Sequence, residues 1–158
     1  MKEGMFVGPL IEATTQHIEQ LRLDMHDGLV GVTPEVLNTS AYPAGNTIAG
    51  LVAHMYDAGN YLLHTGLGLA VTRERDAQFA ATIPDAQALL AHIDTSTANL
   101  LALMARYTGA ELAAHQDYRG NTTVGAWFVM HTCTHLLEHW GGIQTIRDAH
   151  AASKTVTG

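Results

Sequence analysis

The chain has 158 residues, a net charge of −7, and 47% hydrophobic against 15% charged residues, which excludes a disordered chain and suits one domain over 1–158. Its eight Lys and Arg residues are scattered, so there is no basic stripe to neutralise phosphates and nucleic acid is not an expected partner. The opening MKEGMFVGPLIEATTQ lacks the apolar segment of a secretory signal, and no apolar stretch nears the roughly 20 residues that span a bilayer, so no membrane partner is expected.

The first predicted element is a helix over residues 7–30. Val7, Leu10, Ile11, Thr14, Ile18, Leu21 and Met25 alternate in threes and fours, the mark of one buried helical stripe. A second helix is expected from Asn46 as N-cap through Ile48, Leu51, Val52, Met55 and Leu62. The third opens on Thr82-Ile83-Pro84-Asp85, read as an N-cap, a first-turn proline and an acid that meets the helix dipole. Its stripe is Leu89, Ile93, Thr97, Leu100 and Met104. The fourth starts near Asn121 or Thr122 and runs through Val124, Trp127, Phe128, Ile143 and Ile146 to about Asp148. No strand pattern competes.

Four helices of about 20–27 residues point to an all-α four-helix bundle. The intervals, about 14 or 15 residues each, exceed what a tight helical hairpin needs. Overhand crossings are therefore allowed, and a simple up-down-up-down order is not forced.

The chemistry concentrates in HTCTHLLEHWGG, residues 131–142. His135 and His139 are four apart and project from one helix face, so both can reach one ion. The glutamate is Glu138, not in the position a HExxH protease requires. A third ligand must come from another helix, and His54 is the candidate. It flanks the second helix's apolar stripe, about 12 Å from that helix's start at 1.5 Å per residue, while His139 lies about 13 Å from the expected end of the fourth. Antiparallel helices would bring the two to one height. The competing reading is a buried histidine satisfied by hydrogen bonds. His131 turns about 80° away from His139 on an ideal helix, which makes it a candidate catalytic residue behind the ligands or on the substrate side; a purely structural histidine is the alternative. His17, His26, His64, His92, His115 and His150 read as exposed or singly bonded.

Asp57 lies one turn after His54 and can orient an imidazole from behind; a plain surface acid is the alternative. Glu138 is a candidate general base or a solvated acid. Arg73 and Arg75 in TRERDAQF can bind a carboxylate, or form a solvated cluster with Glu74 and Asp76. Trp127, Phe128 and Trp140 read as packing residues of the bundle or a dimer interface, Trp140 also as a candidate pocket lining. Cys133 is the only cysteine, a small packed residue rather than a nucleophile. Its lack of a disulfide partner suits a reducing cytoplasm.

NTIAGLVAHMYDAGNYLL and TVGAWFVMHTCTHLLEHWGGIQTIRD resemble the DinB/YfiT-like superfamily of metalloenzymes. That group includes bacterial low-molecular-weight-thiol S-transferases and is related to the metal-binding domain of mycothiol-dependent maleylpyruvate isomerase. The resemblance implies His54, His135 and His139 as metal ligands, an up-down-down-up bundle and often a homodimer. The family often has glutamine where Gly142 stands, and a basic or small polar residue at Trp140.

Three neutral imidazoles leave open positions on an ion, the catalytic rather than the structural arrangement for zinc; nickel, iron and cobalt also accept nitrogen ligands. The expected function is a metal-dependent thiol S-transferase, or a related hydrolase, acting on small electrophiles. The alternative is a metal-binding or small-ligand-binding stress protein without turnover. A ferritin-like di-iron site needs Glu-x-x-His pairs, and the chain has none.

Overall fold

The computed structural model describes residues 7–156, and the side chains of 8–153. The first six residues, to which the expectation about a leader segment mainly refers, and the Val7 side chain lie outside these. The molecule is mostly helical, with one small sheet. Four long helices, α1 (Val7–Leu29), α3 (Ile48–Gly66), α5 (Ala86–Met104) and α7 (Gly125–Val156), carry the expected apolar positions from Leu10 on, except that Val124 precedes α7 and Trp127 is exposed. Short helices α2 (Pro34–Asn38), α4 (Arg75–Phe79) and α6 (Gly109–Ala113) occupy the three intervals.

Helix starts differ from the expected ones for local reasons. The N-cap of α3 is Thr47, whose hydroxyl accepts the Gly50 N–H; Asn46 lies outside. In α5 the cap is Asp85, whose carboxylate accepts the Ala88 N–H at 2.8 Å, so Pro84 precedes the helix rather than sitting in its first turn. The fourth helix starts later, at Gly125, and continues past Asp148 to Val156.

The expected absence of strands is overturned. His115–Tyr118 (β1) and Asn121–Val124 (β2) pair antiparallel, with Tyr118 opposite Asn121. Arg119 and Gly120 join them with φ of 55° and 78°, the double left-handed turn whose twist suits a two-residue hairpin. Four-residue strands with polar faces leave no apolar alternation to read.

The core lies where the long helices meet. Ile18, Met25 and Leu29 of α1, Met55 and Leu63 of α3, Ile93 and Met104 of α5, and Phe128 and Leu136 of α7 are buried. Leu51, Gly59 and Gly66 of α3 face Gly142, Thr132 and Phe128 of α7 in turn, so these two helices run in opposite directions. That pairing lays α3 along the first half of α7, where the histidines stand. Among the described residues, no helix is long and apolar enough to cross a membrane.

Candidate metal centre

His54 is 5% exposed, on the face of α3 turned to α7. His135 and His139 come up from α7 one turn apart, as their spacing predicts. The ring centroid of His54 lies 5.5 Å from that of His135 and 4.8 Å from that of His139, and the latter two are 4.4 Å apart. One ring nitrogen from each falls within 4.8 Å of the others. Nitrogen donors around tetrahedral zinc stand about 3.3 Å apart, a gap that small ring rotations close.

Two observations test whether these residues fit a metal. His135 Nε2 is buried without a hydrogen-bond partner among the described residues, which is costly unless something else occupies its lone pair. The rings are also held neutral, as ligands must be. Burial pushes His54 down to about 4, with the neighbouring His139, Arg73 and Arg75 adding repulsion against a bonding contribution from Gln78. Burial likewise takes His135 to about 3, reinforced by His139 and His54, and lowers His139. The donor set fits a borderline divalent ion.

The segment between α3 and α5 closes the site from behind. Gly50 permits its approach: a Cβ there would stand 2.8 Å from the Phe79 carbonyl oxygen. Phe79 stacks on His54, centroids 4.3 Å apart. Gln78 Oε1 lies 3.2 Å from His54 Nδ1, and the Gln78 amide donates a short bond to Asp57 Oδ2. Asp57 therefore reaches His54 through Gln78, not directly. Neither Gln78 nor Phe79 stands out in the sequence, since α4 is too short to show a period.

The arginines separate. Arg73 enters the site, its Nη2 3.0 Å from His54 Nδ1 and 3.4 Å from Gln78 Oε1. Its Nε is 3.5 Å from Asp57 Oδ2 but makes no hydrogen bond. Arg75 is exposed and lies over the outer face of Phe79, 5.1 Å from the ring centre.

His131 stays outside the cluster. It stacks on Trp127 at 4.3 Å, and its centroid is 6.0 Å from that of His135. Glu138 is exposed and acts on His131 and His139 only through its charge. Trp140 does not line the site; it is buried, with its ring filling the space over Gly28 of α1. Cys133 is buried too, which pushes its thiol up. Elsewhere His26 meets Asp94, His64 meets the Asn60 carbonyl and His150 the Thr39 carbonyl.

The model of the DinB superfamily matches residues 17–143, a span that includes all three histidines. The fold is similar to the crystal structure of a DinB-like protein from Bacillus cereus. That likeness has a TM-score of 0.69 and 16% identity, covering 90% of this chain and 91% of the other. No curated protein sequence matches.

Proposed function

Since the chain belongs to the DinB superfamily, we propose that it is a metal-dependent enzyme, a thiol S-transferase or related hydrolase acting on small electrophiles. His54, His135 and His139 would hold the ion. The carrying observation is the buried Nε2 of His135, without a hydrogen-bond partner among the described residues, within a cluster of three neutral imidazoles. Zinc suits three nitrogen donors, with nickel and iron as alternatives. When bound, the ion would supply Lewis acidity, holding a low-molecular-weight thiol as thiolate or water as hydroxide near neutral pH.

The chain's own groups then have defined tasks. Arg73, a half-buried cation whose Nε makes no hydrogen bond, would anchor a carboxylate of the thiol or substrate. Phe79 keeps water from one face of His54. The Trp127–His131 stack lies at the flank of the α7 pair, where it would border the incoming molecule. Glu138 is the candidate for proton transfer on that side, and Arg75 would contribute long-range attraction for anions.

Further readings belong with this one. Tyr56 meets Thr97 and Gly59 meets Leu100, so α3 and α5 run parallel, which with the antiparallel pairing of α3 and α7 supports an up-down-down-up bundle forming one domain. Trp127, Met130 and Leu137 are 37%, 47% and 42% exposed along one side of α7, which supports a homodimer. The lone Cys133 suits a cytoplasmic setting.

The test is metal content by inductively coupled plasma mass spectrometry, on protein carrying no polyhistidine tag, followed by a screen of thiols against electrophiles. About one equivalent of metal together with turnover supports the enzyme. Metal without turnover favours a binding protein of the stress-response kind. The exposure of Glu138, which leaves no buried carboxylate at the cluster among the described residues, is the observation on that side. A parent protein that takes up no zinc, nickel or iron sinks both.

A further inference from the structure

His54 has two rivals for its Nδ1, and they demand opposite protonation states. A guanidinium only donates, so a hydrogen bond from Arg73 Nη2 at 3.0 Å needs a bare Nδ1. The proton would then sit on Nε2, the nitrogen on the far side of the ring, and block it as a ligand. Gln78 Oε1 at 3.2 Å only accepts, so it needs Nδ1–H and leaves Nε2 bare. Amide orientation is fixed here by chemistry. The Asp57 carboxylate only accepts, so the Gln78 NH2 end must face it. Oε1 is thereby turned to His54.

We propose that Asp57 and Gln78 are positioning residues that hold His54 in the Nδ1–H form, with Nε2 presented to the ion, and that Arg73 is their antagonist. The inference rests on the metal-site reading for its purpose, but not for its geometry. Gln78 is buried and spans the gap between Asp57 and His54, so its removal leaves Nδ1 to Arg73, already the nearer of the two. The same guanidinium, whose Nε stands 3.5 Å from Asp57 without a hydrogen bond, would turn from His54 toward an anionic ligand. Binding such a ligand would relieve the competition and favour the ion-ready form.

Long-range 15N–1H spectra of metal-free protein labelled at histidine nitrogens test this directly. The parent should show His54 protonated at Nδ1. Gln78→Leu should move the proton to Nε2 and weaken zinc binding, measured against a chromophoric chelator, by about 10–100-fold, the range usual for groups behind a ligand. Adding Arg73→Met to Gln78→Leu should recover most of that affinity, which a purely structural defect would not do. Asp57→Asn, which frees the Gln78 amide to turn round, should shift the tautomer partway. An Nε2–H form in the parent overturns the proposal, as does a Gln78→Leu protein that keeps both the Nδ1–H form and the parent's zinc affinity. If the parent binds no zinc, the functional reading falls while the spectra still decide the tautomer.

Discussion

The two walls of the histidine cluster are built differently. On α3, His54 is braced on one face and one edge: Phe79 covers the face, and Gln78 and Arg73 meet its Nδ1. On α7, His135 and His139 lean on each other, and His135 Nε2 has nothing to bond among the described residues. A buried polar atom without a partner is a cost that a fold sustains only where something else is gained. The α3 wall is thus set before any ligand arrives, whereas the α7 wall stands to gain from one.

The largest expected effect does not distinguish the walls. His54→Ala and His135→Ala should each lower zinc affinity by more than about 100-fold, beyond the range for outer groups, in chelator competition. Metal-free stability should separate them. His54→Ala removes a buried ring and the partner that Gln78 and Arg73 share, at about 2–4 kcal/mol. His135→Ala deletes an unsatisfied atom along with its ring, so the two contributions oppose and the net cost should stay below about 1 kcal/mol. Urea unfolding in the presence of a chelator measures both. Equal losses would erase the contrast between the walls.

Acid sharpens the same comparison. His54 and His135 sit at about 4 and about 3 in the fold, below the unfolded value near 6.5. Between those values the unfolded chain binds more protons, so stability rises with pH there. The metal-free protein should keep its full histidine contribution above about pH 6.5 and lose on the order of 1 kcal/mol per pH unit per group as pH falls toward 4 and then 3. Below those values the rings protonate in the fold too, and the loss stops. Either alanine variant should flatten its share of the slope. A parent profile with the same slope as both alanine variants would mean that the rings are not held neutral.

How much of this was legible follows from the same asymmetry. His135 and His139 are fixed by an interval of four on a long helix, and His54 lies on a stripe that a period of 3.6 reveals. The height match between α3 and α7 needed only the rise per residue. Its premise, a fourth helix ending near Asp148, fails because α7 extends to Val156, so the distances from the helix ends no longer agree; the histidines still meet because α3 and α7 pair antiparallel beside them. Gln78 and Phe79 were invisible because α4 spans Arg75–Phe79, barely more than one turn, and its placement rests on contacts with α3 distant in sequence. The hairpin escaped for a related reason: a two-residue turn of Arg119 and Gly120 carries the signal, while its strands show no apolar face. Trp140 looked available to a pocket by its place beside His139, yet adjacent residues on a helix point about 100° apart, and Gly28 leaves a space for the indole on the other side.

The smallest predicted effect concerns the brace itself. An alanine at position 50 would put its Cβ 2.8 Å from the Phe79 carbonyl oxygen, and that neighbour is backbone rather than a flexible side-chain tip. Gly50→Ala must therefore push α4 off α3. Overpacking of this kind costs about 1–3 kcal/mol, but alanine in a helix recovers about 1 kcal/mol over glycine. The net loss of stability should be about 1 kcal/mol, modest for a buried site. Its effect on zinc should be disproportionate, because the displaced segment carries Gln78 and Phe79 together. A severalfold weaker affinity with all three histidines intact would place part of the binding energy in the α4 brace. An affinity equal to the parent's, with the stability loss present, would confine the role of α4 to packing and leave the three rings sufficient by themselves.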